Sequence, residues 1–331
     1  MEINPSAAWG RLRLSERMLV QTHRLLPRAK REGEEAEGEY PHGHYRDTLL
    51  RNASLSMSAR MISLGDEIRQ FCRNHGLHLN TDLGQHFLLD ASVLETIIET
   101  ARMQKSDTVV EIGPGIGVLT RELLKSAGNV LAIELDERMI PLLRKFTDDH
   151  HSLTVIPGNA LHVEMPERSY KVVANIPYHI TSPLLRHLFL ESKNPPSSLT
   201  LLVQREVAER ICDMKDAGML TILVGLFGTP KIVARVPPAA FLPPPKVDSA
   251  VLHIECFSAP LADTKTIEQL FKLTKIAFGQ KRKMLRNTLG TFQGGLERLA
   301  GLHIEPTRRP QTLSVAEWIA LARAWPEHEG A

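Results

Sequence analysis

The 331-residue sequence contains only three cysteines, and none of its apolar runs approaches the length of a membrane span. Cys72, Cys212 and Cys256 are scattered and form no CxxC pair, so neither a disulfide framework nor a zinc site is predicted. A helix that crosses a membrane needs about 20 consecutive apolar residues. These absences predict a protein of a reducing compartment, which we take to be the cytoplasm, with no metal and no membrane anchor.

Charge is balanced over the whole chain but is unevenly distributed. The net charge is +2, yet residues 271–287 carry six basic side chains and no acidic one. A basic stretch of this kind can form a face that binds phosphate groups. It can equally be the solvated face of a helix, and the sequence leaves both interpretations open.

The periodicity of apolar residues divides the chain into three regions. Residues 1–75 show no sustained periodicity and are predicted to be a poorly ordered extension without an assigned function. In residues 76–257, short apolar strands alternate with helical segments, which predicts a parallel sheet with helices on both faces. Residues 258–331 are predicted to form a small all-helical domain. The expected fold class is therefore α/β, with a Rossmann-like sheet and a C-terminal helical domain.

The apolar pattern also predicts the bounds of individual elements. Strands are expected at residues 108–112, 130–134, 153–156, 171–174 and 199–203. Residues 231–236 and 247–254 surround a proline-rich turn and are expected to form an antiparallel edge hairpin. The C-terminal helices are predicted at residues 267–278, 283–289 and 315–324.

A glycine-rich turn follows the first predicted strand. Gly113, Gly115 and Gly117 occupy alternate positions there, and glycine lets the backbone turn tightly and approach a ligand closely. Glu134 lies 21 residues after Gly113, where an acid can bind both ribose hydroxyls of a nucleoside cofactor. A dinucleotide fingerprint requires a glycine at the position of Val118. S-adenosylmethionine is therefore favoured over a dinucleotide and over a purely structural turn.

Polar residues also follow the third and fourth predicted strands. Asn159 comes after the third strand, where its amide can contact an adenine ring or stabilise a turn. Asn175, Pro177 and Tyr178 come after the fourth, at the edge of the sheet where ligands bind. The Asn175 oxygen can accept from an adenine amine, Pro177 fixes the backbone, and Tyr178 offers a stacking surface for an extruded base. This pattern favours methyl transfer to an adenine amine over an ordinary turn.

Several motifs resemble those of the ribosomal RNA adenine dimethyltransferases. They are residues 84–88 (GQHFL), the glycine loop of residues 111–117, residues 175–178 (NIPY), the helix of residues 203–210 and, most specific, the proline-rich run of residues 236–251. The resemblance covers roughly residues 83–324. It implies dimethylation of the N6 amine of adenines in small-subunit ribosomal RNA. It also implies S-adenosylmethionine as cofactor and the immature small ribosomal subunit as partner of a monomeric enzyme.

The resemblance further implies roles for individual residues. Cofactor contacts are expected at His86, Leu88, Gly113, Gly115, Glu134, Asn159 and Asn175. Phe241 is expected to flank the target base opposite Tyr178, whereas Lys281, Arg282, Lys283 and Arg286 belong to the segment expected to engage RNA. The family usually has Asn in place of His86 and Asp in place of Asn159. We expect these departures to lower cofactor affinity, since Asn159 lacks the charge of Asp. Both residues keep hydrogen-bonding atoms, so we expect the chemistry to be preserved.

Two other functions remain open on the sequence alone. A resistance-type methyltransferase of large-subunit ribosomal RNA shares the glycine loop and the NIPY motif, but the proline-rich run favours the small-subunit branch. A non-catalytic ribosome-assembly or transcription factor on the same fold would have no need of Asn175, Pro177, Tyr178 and Phe241 together.

Overall fold

A seven-stranded sheet organises the part of the chain that the computed structural model describes, residues 62–77, 84–280 and 282–325. Its strands are β2 (Thr108–Ile112), β3 (Asn129–Glu134), β4 (Leu153–Pro157), β5 (Lys171–Asn175), β6 (Ser198–Gln204), β7 (Gly228–Val236) and β9 (Ser249–Cys256). The order across the sheet is β4-β3-β2-β5-β6-β9-β7. The first five strands are parallel, and β9 pairs antiparallel with both β6 and β7. The predicted parallel sheet and its antiparallel edge are confirmed.

The described residues also form α-helices. They are α1 (Leu64–Asn74), α2 (Ala91–Ala101), α3 (Val118–Ser126), α4 (Ile140–Phe146), α5 (Thr181–Arg186), α6 (Arg205–Cys212), α7 (Met219–Phe227), α8 (Thr264–Phe278), α9 (Gly295–Gly301) and α10 (Val315–Ala324). Residues of β6 are buried along almost its whole length, as expected for a strand covered on both faces. By contrast, β7 alternates between buried or half-buried and exposed positions, which is typical of an edge strand with one solvated face.

A second, two-stranded sheet connects the start of the described fold to the proline-rich run. Its strands are β1 (Phe87–Leu88) and β8 (Phe241–Leu242), which pair antiparallel. Leu89 extends the connection, because its N–H donates to the Ala240 carbonyl at 2.7 Å. The two motifs are far apart in sequence, and this small sheet brings them to the same side of the molecule.

The C-terminal helices share a hydrophobic core with the sheet. Trp318 in α10 and Leu270 in α8 are fully buried in the same cluster as residues of β5 and β6. The packing is close at Gly225 in α7, where a Cβ atom would lie 2.8 Å from the Val315 side chain. The core is therefore continuous across residue 257, and the division of the chain at that residue stays a prediction.

Two local predictions are wrong. The segment before residue 75 was expected to lack order, yet α1 is a capped helix whose Ile68 and Cys72 are buried; residues 1–61 lie outside the described residues. Residues 283–289 form short 3-10 turns in place of the predicted helix. The backbone there is tied to a neighbouring loop, since Leu285 N–H donates to Arg308 and Arg286 N–H to Pro306, both at 2.8 Å.

Two features are absent from the described residues. None of the helices there combines the length and the apolar character that crossing a membrane requires. The same residues contain no group of three or more His, Cys, Asp or Glu side chains placed to hold a metal ion.

Candidate active site

A cavity of about 350 Å³ lies at the carboxyl ends of β2, β3, β4 and β5. Its size falls within the usual range of small-molecule sites, about 300–1,000 Å³. The strand ends supply its walls, as expected for a ligand site in an open parallel sheet. All seven residues predicted to contact a cofactor line this cavity: His86, Leu88, Gly113, Gly115, Glu134, Asn159 and Asn175.

The glycine turn forms one wall and holds the acid at the end of β3. Gly115 has a φ of +57°, and a Cβ atom there would lie 2.7 Å from the Phe87 ring, so the position requires glycine. Glu134 is buried, and its two oxygens accept from the Gly115 N–H at 2.9 Å and the Asp136 N–H at 2.8 Å. Burial raises the pKa of Glu134. Each carboxyl oxygen retains a lone pair that can accept from a ribose hydroxyl.

Two further side chains complete this wall. Asn159 Oδ1 accepts from the Leu161 N–H at 3.0 Å, so it stabilises its own turn and can still accept a second hydrogen bond. Leu135, which no sequence pattern singled out, lines the cavity with 60% of its surface exposed. An exposed apolar side chain next to Glu134 can pack against the base of a nucleoside. The only sequence signal for it was its position directly after the strand-ending acid.

Residues 84–88 cross the cavity and connect its two ends. Gly84 has a φ of +72°, and a Cβ atom there would lie 2.8 Å from Pro177, which explains the glycine. Gln85 Nε2 donates to Asp136 Oδ2 at 3.0 Å, beside the cofactor wall. His86 Nδ1 is 2.7 Å from the Pro243 carbonyl, which can only accept, so Nδ1 carries the proton.

Asn175 ends β5 and lies between the cavity wall that holds Glu134 and Tyr178, the residue predicted to stack on the target base. Its Nδ2 donates to the His86 carbonyl oxygen at 2.8 Å. This bond identifies the nitrogen of the amide, because a carbonyl cannot donate. Asn175 Oδ1 is therefore the atom of this side chain that can accept from a substrate amine.

Tyr178 begins the short 3-10 helix after Pro177 and is held at its hydroxyl. The Tyr178 and Ser249 oxygens are 2.5 Å apart, and Ser249 is fully buried at the start of β9. Burial raises the pKa of Tyr178, so its hydroxyl stays protonated at neutral pH. The His86 ring lies nearly parallel to the Tyr178 ring, with 6.1 Å between centroids and 17° between planes. Two rings must be about 7 Å apart for a base to fit between them, so no base fits between His86 and Tyr178 in this conformation.

The structure does not bring every predicted residue to the site. Pro177 lines the cavity, and Tyr178 follows it. Phe241, expected to flank the base, is only 2% exposed and packs in the core as part of β8. Its ring offers no free face in this conformation, and the ring that faces Tyr178 is that of His86.

Three of the four predicted RNA-binding residues are among the described residues, and none of the three lines the cavity. Arg282, Lys283 and Arg286 are exposed, and Lys281 lies outside the described residues. Backbone hydrogen bonds anchor the turns that carry them. They form an exposed basic group in the C-terminal helical region, which is compatible with phosphate binding and also with a solvated surface.

The geometry of the cavity fits a nucleoside cofactor without a pyrophosphate. The glycine turn lets the backbone contact a cofactor. The Glu134 carboxyl group, held by backbone N–H groups, can accept from ribose hydroxyls, and Leu135 provides apolar surface beside it. The sheet and this cavity together define a Rossmann-like S-adenosylmethionine-dependent methyltransferase. The chain belongs to the family described as ribosomal RNA adenine dimethylase, whose sequence model matches residues 76–324.

Individual relatives agree with this assignment. The chain is 36% identical over 278 residues to the ribosomal RNA small subunit methyltransferase A of Alkaliphilus oremlandii, covering 79% of this chain and 96% of that protein. The crystal structure of a dimethyladenosine transferase from Plasmodium falciparum is similar with a TM-score of 0.64, at 29% identity, over 71% of this chain and 95% of that one. The structure of 23S rRNA methyltransferase ErmE is similar with a TM-score of 0.58, at 27% identity, over 72% and 98%.

Proposed function

We propose that this protein transfers two methyl groups from S-adenosylmethionine to the N6 amine of adenines in small-subunit ribosomal RNA. Membership of the adenine dimethylase family and the similarity to small-subunit methyltransferases support the reaction and the substrate. The similarity to a 23S rRNA methyltransferase is lower in identity, 27% against 36%. The small subunit is therefore the proposed substrate, and large-subunit RNA is the alternative.

The observation that carries the proposal is the fixed orientation of the Asn175 amide. Its nitrogen is tied to the His86 carbonyl, so its oxygen is available to a ligand beside the cavity. An adenine amine is a poor nucleophile because its lone pair is delocalised into the ring. An oxygen that accepts one N–H and orients the amine favours a nitrogen whose lone pair points toward the methyl donor.

The proposed mechanism needs positioning by the protein and no covalent nucleophile. S-adenosylmethionine, when bound, supplies an electrophilic methyl group on its sulfonium. Tyr178 stacks on the extruded base, and Ser249 holds the Tyr178 ring by its hydroxyl. Asn175 accepts from the amine. At each transfer the nitrogen gains a methyl group and gives up one proton to solvent. One N–H therefore remains after the first transfer, and the same acceptor can orient the amine for the second.

Arg282, Lys283 and Arg286, with Lys281, are proposed to contact ribosomal RNA, since exposed cations release counterions from phosphates. Residues 258–331 are proposed as the RNA-engaging part and residues 76–257 as the methyltransferase part. We propose a monomer that acts on the immature small subunit in the cytoplasm.

The test is methylation of each immature ribosomal subunit with labelled S-adenosylmethionine, followed by mapping of the modified bases. We expect dimethylated adenines in small-subunit RNA and none in large-subunit RNA. Label confined to large-subunit RNA would favour the resistance-type alternative. Binding to small subunits without methylation of any RNA would favour a non-catalytic assembly factor.

A further inference from the structure

A side-chain hydrogen bond between Gln85 and Asp136 joins two walls of the cavity. Both residues line the cavity, and Gln85 Nε2 donates to Asp136 Oδ2 at 3.0 Å although the two lie 51 positions apart in the sequence. A carboxylate can only accept, so this contact identifies the nitrogen of the Gln85 amide. The bond fixes residues 84–86 against the turn that follows β3.

Asp136 has another partner, Arg138, which compensates its charge. Arg138 Nε and Nη2 donate to the Asp136 carboxylate at 2.8 and 2.7 Å, and the Asp136 side chain is only 7% exposed. The bonds from Arg138, and next the bond from Gln85, lower the pKa of Asp136, which is therefore ionised at neutral pH. Because Arg138 already neutralises the carboxylate, the Gln85 bond acts mainly on the position of residues 84–86.

The same segment contacts the residues that end and follow β5. Gly84 lies so close to Pro177 that a Cβ atom on Gly84 would be 2.8 Å from the proline ring. The His86 carbonyl accepts from Asn175 Nδ2 at 2.8 Å. This bond sets the direction of Asn175 Oδ1, the acceptor proposed for the target amine. The orientation of the acceptor thus depends on how residues 84–86 are held.

The turn after β3 connects this segment to the cofactor wall. The Asp136 N–H donates to Glu134 Oε1 at 2.8 Å, and Glu134 is the acid expected to bind the ribose of the cofactor. Three hydrogen bonds and one peptide unit therefore form a continuous connection from Glu134 to Asn175. It runs from the group that holds the methyl donor to the group that orients the methyl acceptor.

We propose that Gln85 is a positioning residue for methyl transfer: its bond to Asp136 keeps the acceptor of the target amine in register with the cofactor. The inference rests on the proposed function, since it takes Asn175 as that acceptor and S-adenosylmethionine as the methyl donor. Gln85 touches no reacting atom in this scheme and acts through the His86 carbonyl.

In-line methyl transfer is sensitive to small displacements of the two reactants. Catalytic groups must stay within about 0.5 Å of the productive geometry, and a misplacement of about 1 Å can lower a rate about 10²-fold. β3 and β5 lie on opposite sides of β2 and are not paired with each other. A side-chain tie that reaches from the turn after β3 to the end of β5 therefore limits a movement that the sheet itself does not restrain directly.

The test compares Gln85→Ala with wild type in two measurements. Single-turnover methylation of immature small subunits, at saturating S-adenosylmethionine and saturating enzyme, measures the transfer step. Calorimetry with S-adenosylhomocysteine measures cofactor affinity, and thermal unfolding checks the fold. We expect the rate to fall about tenfold, less than for a full 1 Å misplacement. Cofactor affinity and the unfolding temperature should stay close to those of wild type.

An exchange of donor and acceptor provides a rescue that a change in packing cannot imitate. Gln85→Glu places a second carboxylate beside Asp136 and should lower the rate more than Gln85→Ala does. Adding Asp136→Asn restores one donor and one acceptor in the same volumes, and the exposed Arg138 can pair with the new carboxylate. The combined variant should recover most of the lost rate. Gln70→Glu, which adds the same charge at an exposed position of α1, is the matched control and should methylate as wild type.

The outcomes separate this inference from the proposed function. An active wild type beside an equally active Gln85→Ala would overturn the inference and leave the function intact. Parallel loss of rate and cofactor affinity, or failure of Asp136→Asn to restore Gln85→Glu, would also overturn it. A wild type that binds subunits without methylating their RNA would count against the proposed function and against this inference with it. If Gln85→Ala does not fold, the exchange of donor and acceptor decides the case.

Discussion

The two halves of the cavity are held together in different ways. In the cofactor half (Glu111, Gly113, Gly115, Glu134 and Asn159), Glu134 and Asn159 accept from backbone N–H groups 2 to 19 residues away. In the target-base half (His86, Asn175, Tyr178 and Ser249), the hydrogen bonds involve side chains and join residues 71 to 157 positions apart. The cofactor half is thus mainly a local construction on strand ends, whereas the target-base half depends on distant segments meeting.

This difference predicts how each half responds to substitution. A backbone donor stays in place when one side chain changes. A substitution in the cofactor half should therefore alter one property, the affinity for the cofactor. In the target-base half, side chains hold distant segments together through the His86 and Pro243 carbonyls and the Tyr178–Ser249 pair, so one substitution should also displace neighbouring groups of the site. Substitutions in the two halves should therefore differ in how many properties of the protein they change.

The largest effect is expected from Asn175→Ala, because it removes the acceptor for the target amine. The rate of methyl transfer should fall on the order of 10²-fold, as for the loss of one oriented hydrogen bond to a transition state. Single-turnover methylation of immature small subunits measures the rate, beside a binding assay on the same samples. Subunit binding should persist, since phosphate contacts dominate affinity. Equal rates in wild type and variant would remove Asn175 from the mechanism.

Glu134→Ala should weaken S-adenosylmethionine binding and leave the fold intact. Loss of hydrogen bonds to a charged group costs about 1.5–3 kcal/mol. Calorimetry measures the affinity, and circular dichroism checks the fold. Glu137→Ala, an exposed change in the 3-10 turn just after Glu134, is the matched control and should bind normally. Unchanged affinity in a folded Glu134→Ala would exclude the acid from the cofactor site.

Tyr178→Ala should cost roughly 1–3 kcal/mol of base stacking. Tyr178→Phe keeps the ring and should retain most methyl-transfer activity. It should lose less activity than Tyr178→Ala, and the loss should come from the missing hydrogen bond to Ser249. Ser249→Ala removes the same bond from the other side and should match Tyr178→Phe. The double variant of Tyr178→Phe and Ser249→Ala should then lose no more methyl-transfer activity than either single variant, as expected for two groups that act through one hydrogen bond. Additive losses in this cycle would contradict the positioning role of Ser249.

The smallest effect on chemistry is expected from charge reversal at Lys281, Arg282 and Lys283. Subunit binding should weaken and its dependence on salt should flatten, with the slope falling by about one for each phosphate that the variant no longer binds. Cofactor affinity should not change. Reversal of Lys145 and Lys193, which are exposed cations in other parts of the fold, is the control. An unchanged salt slope would assign the first three residues to a solvated surface.

The same contrast explains how much of the site the sequence could predict. Gly115 and Glu134 follow from local rules, because a turn after one strand and an acid after the next must meet at the same sheet edge. Asn175 was predicted for the same reason. Ser249 was not, since nothing in its surroundings in the sequence indicates that it meets Tyr178. Likewise, burial of Phe241 follows from its pairing with β1, which no local pattern shows.

The fold shows a similar division between local and distant causes. The strands of the sheet were predicted to within a few residues, because buried strands have continuous apolar sequences. The failures are α1 and residues 283–289. The first is a short helix whose stability comes from burying Ile68 and from the ion pair of Glu67 with Arg121. In the second, tertiary hydrogen bonds of Leu285 and Arg286 replaced the expected helix.

The position of β9 has a consequence for the newly synthesised chain. This strand is the last of the sheet in sequence, yet it lies between β6 and β7. While the chain is still emerging from the ribosome, the facing edges of β6 and β7 have no partner, and such edges promote aggregation. Insertion of β9 closes both edges and delivers Ser249 to Tyr178. Closure of the sheet and anchoring of the Tyr178 ring are thus one event, which cannot precede the synthesis of β9.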